Sequence, residues 1–259
     1  MDLNEDTISF LDEFPNRSSS IINISGRQNN SEYYVSDNQS FNEISFSGQV
    51  TDCCICFIDM INSTKIVNKL TQKLVRRYYS FFLNSTAIIV KNFDSTIIKN
   101  AGDCLIYYFP NTNNVTNENS FKNMIECNLT IISAHDFINS KLYEENLPPL
   151  DYRISADYGE VQLAKSTSSQ RDDLFGSAIN VCAKINPKAP PNTFIIGEKL
   201  YGIVKSFNNY DFQEIGKYDI FKATENDRHY SIYLVSDKHK RIIFNPFQRV
   251  FNPEQSVIL

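Results

Sequence analysis

The sequence predicts an α+β domain whose elements run β-α-β-β-α-β, with further helices and strands after them. Three observations carry this. The apolar run Cys53–Ile58 (CCICFI) has the length of a strand buried on both faces. Two long stretches repeat apolar residues at helical spacing. Two strand-like runs, Ser95–Asn100 and Cys104–Phe109, flank Ala101-Gly102 as a hairpin does.

Taken in order, the core begins near Gly48 and its first strand ends at Asp59. Ile66, Leu70, Leu74 and Tyr78 then recur on one helical face and lead into Phe81 and Phe82. The hairpin follows. A second helix is predicted from Phe121 to Glu145, with Ile125, Leu129, Ile132 and Phe137 on one face and Pro148-Pro149 as its stop. Tyr152–Ala164 reads as a strand, and Leu174–Ile185 as a short helix ended by Asn186-Pro187. Thr193–Ile196 and Tyr230–Val235 read as later strands, with a small helix at Glu198–Val204. This order is that of a ferredoxin-like core with additional α and β elements.

On either side of this core, at residues 48–236, the composition changes. Residues 1–47 are rich in Asn, Ser and acidic residues and read as a weakly structured leader. Residues 237–259 carry Lys238, Lys240, Arg241 and Arg249 among aromatics and read as a terminal arm.

Composition narrows the function classes. The chain has 259 residues, 42% hydrophobic and 13% aromatic, which is enough for one sizeable core. A net charge of −5 argues against a nucleic-acid binder, which usually presents a basic face. It leaves a nucleotide substrate open, because a bound metal can bring phosphate to an acidic protein. MDLNEDTISFLDEF lacks the basic and apolar regions of a signal peptide, and no apolar run is long enough to span a membrane. A cytoplasmic protein is therefore expected. The six cysteines show no paired zinc spacing and read as small buried residues. His135, His229 and His239 have no partners at catalytic spacing.

Two carboxylates stand out. Asp59 follows a buried strand directly, and Asp103 sits at the hairpin turn before another strand. On neighbouring strands they would converge at one end of the sheet, where hard divalent cations need only a few protein oxygens and leave room for phosphate. Taken alone, each aspartate reads more readily as a helix cap or a turn residue than as a metal ligand.

The surrounding residues resemble those of a known family. CFIDMINST (Cys56–Thr64) resembles the first metal motif of class III nucleotidyl cyclase catalytic domains, and IIKNAGDCLIYYF (Ile97–Phe109) the second. ISADYGEVQLA (Ile154–Ala164) is similar to the family's strand ending in Gly-Glu-Val. DDLFGSAINVCAK (Asp172–Lys184) resembles its Asp-x-x-Gly…Asn-x-x-x-Arg segment, and Ala189-Pro190-Pro191 its Ala-Pro-Pro stretch before a strand. The matches fall in family order across residues 52–235.

The resemblance implies a nucleotidyl cyclase core and an adenylate-type site. Asp59 and Asp103 would bind two Mg²⁺ or Mn²⁺ ions. Lys99 and Asp173 would read adenine, the lysine donating to N1 and the aspartate accepting from the 6-amino group. Asn180 would position the ribose and stabilise the transition state, and Lys222 would contact the phosphates. The implied assembly is a homodimer whose two sites each draw residues from both chains, with ATP as substrate. One position departs from the pattern: Lys184 stands where the family has an arginine, so a single ammonium replaces a bidentate fork. With the small or polar Ser155, Ala156 and Asp157 near the Gly-Glu-Val strand, this motivates a second reading, a degenerate cyclase fold serving as a nucleotide-binding or dimerising signalling module. A diguanylate cyclase-like hairpin is not found.

Overall fold

The computed structural model describes residues 44–166, 172–219 and 229–239. The leader before residue 44, Lys222 and nearly all of the C-terminal arm lie outside the described residues. Eight strands and six α-helices occur among those described. The strands are β1 (Ile44–Met60), β2 (Thr96–Ala101), β3 (Cys104–Phe109), β4 (Tyr152–Ser166), β5 (Asp172–Phe175), β6 (Phe194–Gly197), β7 (Tyr210–Tyr218) and β8 (Tyr230–Asp237). The helices are α1 (Ser63–Val67), α2 (Gln72–Lys91), α3 (Glu118–Ser133), α4 (His135–Glu144), α5 (Ser177–Ile185) and α6 (Glu198–Val204). One sheet takes the order β2-β3-β1-β4-β6-β8-β7, with β5 paired to β4.

The central pair is the long antiparallel ladder of β1 on β4, which runs from Ile44↔Ser166 to Met60↔Tyr152. Successive side chains of β1 point to opposite faces. Cys54, Cys56, Ile58 and Met60 pack into a core with Phe82, Ile89, Phe121 and Ile125 from α2 and α3. Cys53, Ile55 and Phe57 pack on the other side with Ala178 and Cys182 of α5. Both faces of CCICFI are therefore covered, which is why the run shows no alternation. Burial pushes the thiol of Cys53 up to about 12 and that of Cys56 higher still, so these sulfurs are inert packing groups.

The two predicted strands of the hairpin form as expected. The first helix is two instead: Ile66 lies on α1 and Leu74 and Tyr78 on α2, with Leu70 in the break at residues 68–71. Four other features differ. The second helix is two: α3 and α4 meet at Ala134, whose φ of −76° and ψ of −6° stay close enough to helical for the apolar period to run through the break. Leu174 and Phe175 belong to β5, because Gly176 separates them from α5. β1 begins at Ile44 rather than near Gly48. β7 has no counterpart in the sequence reading, because a bulge between Glu214 and Gly216 interrupts its alternation.

Gly176 fixes where α5 starts. Its φ of +147° lies in a region that side chains avoid, and a Cβ there would sit 2.2 Å from the Glu160 carbonyl oxygen. Gly176→Ala should cost about 3 kcal/mol or more, as overpacking and backbone strain add. Urea denaturation followed by circular dichroism checks this; an unchanged midpoint would mean that the neighbouring strand yields.

The buried Asp157 ties three elements together. Its carboxylate accepts from Tyr230 Oη at 2.6 Å and from the Leu200 amide at 3.2 Å, which joins β4 to β8 and to the first turn of α6. Burial pushes this carboxyl up to about 6, although the Tyr230 hydroxyl and two backbone amides favour its charge. Asp157 thus has a structural role in the sheet.

Candidate functional site

Asp59 stands one residue before the end of β1, paired with Cys104 on β3 and with Arg153 on β4. It lies on the sheet face that carries Cys53, Ile55 and Phe57, the same face as α5. Asp103 is brought beside it by the hairpin. Gly102 turns at φ +65°, a left-handed conformation that suits glycine, so β3 can start at Cys104. The two acids feel each other. Burial lifts the Asp59 carboxyl above the usual range, a hydrogen bond from Arg153 draws it back, and the charge of Asp103 adds to the rise. Cys104, which pairs with Asp59 in register and follows Asp103 in the chain, has its thiol pushed up to about 12 by burial and then by both carboxylates.

Two half-buried carboxylates repelling each other at a sheet end suit a divalent cation, which relieves the repulsion. Among the described residues no cluster of three or more His, Cys, Asp or Glu side chains could cage a metal. The donor set therefore fits ions that draw their remaining ligands from phosphate and water, as Mg²⁺ and Mn²⁺ do.

A second group forms a few residues away. Lys99 Nζ donates to Asp173 Oδ2 at 2.6 Å, while the Leu174 amide donates to Asp173 Oδ1 at 2.9 Å. The register of β2 on β3 shifts between Ile97 and Lys99. That bulge lets Ile98 pack against the α5-side core while Lys99 reaches across to β5. Both side chains remain partly exposed, 44% for the lysine and 32% for the aspartate, which leaves them accessible from solvent.

Asn180 and Lys184 lie one turn apart on the exposed side of α5. The opposite side of the helix buries Ala178, Val181, Cys182 and Ile185. The structure thus brings Asp59 to Asp103 and Lys99 to Asp173, and it places Asn180 and Lys184 on a shared helical face. Lys222 lies outside the described residues.

The sequence reading missed Arg153 and Asn186. Arg153 donates to Asp59 Oδ2 through Nη2 at 2.9 Å and Nε at 3.3 Å, and its Nε also reaches Asn186 Oδ1 at 3.2 Å. Asn186 registered only as a helix stop before Pro187. The signal that could have found them is the antiparallel register of β1 on β4, which pairs Asp59 with Arg153. Ser155, also singled out in the sequence, is fully buried and donates to the Cys182 carbonyl at 3.1 Å.

Comparison with known proteins agrees with this fold. Residues 46–235 match a family model described as the adenylate and guanylate cyclase catalytic domain. A curated relative, a cytidylate cyclase of Staphylococcus aureus, is 27% identical over 178 residues, which cover 65% of this chain and 42% of that protein. The chain thus spans about two fifths of that relative's length. Among solved structures, the adenylyl cyclase CyaB from P. aeruginosa superposes with a TM-score of 0.66 at 16% identity, covering 76% of this chain and 98% of that one. The guanylyl cyclase Cya2 gives 0.63 at 15% identity over 78% and 97%. At these identities the structures speak for the fold.

Proposed function

The chain belongs to the adenylate and guanylate cyclase catalytic domain family, and from that premise we propose that it is an adenylate cyclase, closing ATP to 3′,5′-cyclic AMP and pyrophosphate. The observation that carries the substrate is the pairing of Lys99 with Asp173. An ammonium beside a carboxylate suits a base edge with a ring-nitrogen acceptor next to an amino donor. Adenine offers N1 and its 6-amino group in that order; guanine offers the reverse.

Each side chain has a part in this reading. Asp59 and Asp103 would hold two Mg²⁺ or Mn²⁺ ions, which when bound make the 3′-hydroxyl more acidic and balance the charge of the leaving pyrophosphate. Lys99 and Asp173 fix the base. Asn180 orients the ribose so that its 3′-oxygen lies in line with the α-phosphorus. The new bond joins O3′ to that phosphorus, the bond to the bridging oxygen breaks, and the hydroxyl proton leaves to solvent. Lys184 meets charge growing on the α-phosphate, and Lys222 is assigned to the outer phosphates. A lysine in place of the family's arginine predicts slower turnover, by about ten- to a hundredfold, through loss of the bidentate contact. In a homodimer, the carboxylates of one chain would face the base readers and Asn180 of the other. Among the described residues no helix is long and apolar enough to cross a membrane.

A second substrate is favoured by one observation. The Staphylococcus aureus relative is named a cytidylate cyclase, and cytosine presents N3 and a 4-amino group in the same order as adenine N1 and its amino group. The pair would therefore accept CTP's edge as well as ATP's, and the width of the base pocket would decide between them.

The test is a four-way product assay with Mn²⁺ and ATP, CTP, GTP or UTP. The expected order is ATP above CTP, with GTP and UTP lower by about 10³ or more, since reversed edges leave polar groups facing like partners. Preference for CTP would favour the second substrate. Preference for GTP or UTP would overturn the assignment of the pair, and nucleotide binding without any product would favour the non-catalytic module.

A further inference from the structure

We propose that Asn186 is a positioning residue for the metal-bearing carboxylate: it holds the Arg153 guanidinium on one oxygen of Asp59 and so keeps the other oxygen open to a divalent cation. The inference rests on the reading of Asp59 as a cation ligand.

The geometry begins with the orientation of the amide. Asn186 is 4% exposed, at the end of α5. Its Nδ2 donates to the Phe57 carbonyl at 3.3 Å and to Ser155 Oγ at 3.2 Å. Ser155 gives its own proton to the Cys182 carbonyl, so its oxygen is left to accept. Two acceptors on one side of the amide fix which end carries the nitrogen, and Oδ1 must face Arg153.

That oxygen changes what Arg153 does. A guanidinium beside a carboxylate prefers the parallel fork, one N–H to each oxygen. Here Nε and Nη2 both go to Oδ2 of Asp59, because Nε is shared with Asn186 and Nη1 is drawn to the Pro187 carbonyl at 3.4 Å. Both bonds from Arg153 fall on one oxygen, and Oδ1 is the oxygen left for a cation. Asn186 and Pro187 follow directly on the helix that carries Asn180 and Lys184, so the residues that end the helix also touch the group holding the carboxylate.

Substitutions at Asn186 separate this role from plain structural support. Asn186→Leu removes the acceptor and lets Nε swing to Asp59 Oδ1, closing the fork over both oxygens. Asn186→Asp keeps an acceptor for Nε. Both variants lose the Nδ2 bonds to Phe57 and Ser155, so both should lose thermal stability.

The test is Mn²⁺ binding to the full chain without nucleotide, followed by the electron paramagnetic resonance signal of unbound Mn²⁺. Asn186→Leu should bind about tenfold more weakly, in the range seen when the partners of metal ligands are removed, while Asn186→Asp stays within about threefold of wild type. Equal affinity in Asn186→Leu and wild type, or equal weakening in both variants, would overturn the proposal. Asp59→Asn, which keeps an oxygen for Arg153, is the reference. If it binds Mn²⁺ as wild type does, the reading of Asp59 itself fails, a result distinct from failure at Asn186.

Should Asn186→Leu not fold, nuclear magnetic resonance of the native chain decides. The Nε–H signal of Arg153, assigned by its loss in Arg153→Lys, should persist as Mg²⁺ saturates the site. Its disappearance would show the guanidinium leaving Asn186, contrary to the proposal.

Discussion

Replacing Asp59 with asparagine lowers turnover of Mn²⁺–ATP by about 10³ or more, with only a small shift in the thermal midpoint. Removal of one preorganised charge-stabilising group typically costs 10²–10³ in rate, and Asp59 is argued to hold a charge that acts on both the attacking and the leaving oxygen. Asparagine is the informative choice because it still offers an oxygen to Arg153, which bonds Asp59 at 2.9 Å. Alanine would instead leave a guanidinium only 22% exposed without that acceptor as well as without its counter-charge, and would confuse lost chemistry with lost stability. Steady-state kinetics beside a melting curve separates the two. Mixing Asp59→Asn chains with Asn180→Ala chains then tests the shared site. Each mixed dimer holds one intact combination, so a random one-to-one mixture recovers about a quarter of wild-type activity if the sites lie across a two-fold axis. No recovery would place the whole site within one chain.

Lys99→Glu has the second-largest expected effect, a fall in kcat/KM for ATP of about 10³ to 10⁴. Two losses combine. The donor to the ring nitrogen disappears, and a carboxylate is placed beside Asp173, whose Oδ2 now accepts from Lys99 at 2.6 Å. Sites built to hydrogen-bond a substrate group discriminate by 10⁴–10⁵ when the match is lost, because their polar groups are left facing the wrong partner. The loss should fall on ATP and CTP alike, which present the same edge, and spare pyrophosphate binding. Asp173→Asn should cost less, about ten- to a hundredfold, since an amide still accepts from an amino group without the charge. Measuring kcat/KM for both nucleotides in both variants is sufficient. A loss confined to ATP would mean that the pair does not read the edge the two bases share.

Much of the core was legible because its signals are local. CCICFI announces a doubly covered strand within six residues, and α2 repeats its apolar face without interruption. The hairpin carries its own turn residue in Gly102. What escaped were places where backbone geometry changes without changing the apolar period. Ala134 passes one helix to the next at nearly helical angles. The bulge in β7 hides a strand whose inward residues fall out of step. The site divides along the same line. Asp59, Asp103, Lys99, Asp173 and Asn180 sit in short motifs that can be read in isolation. Arg153 and Asn186 acquire meaning only from register, since Arg153 lies 94 positions from the carboxylate it holds.

That separation also governs how the protein comes to be active. The ladder of β1 on β4 closes only when chain segments about a hundred residues apart find each other, and contacts so distant in sequence form late and slowly. Hairpin and helices can appear early without producing a cation site, because Asp59 meets Arg153 and the end of α5 only when the ladder is complete. A partly folded chain should therefore show no Mn²⁺ affinity, and Mn²⁺ should slow global unfolding. Bound cation stabilises the whole native state by mass action, so the metal would report on the completeness of the fold as well as on the chemistry.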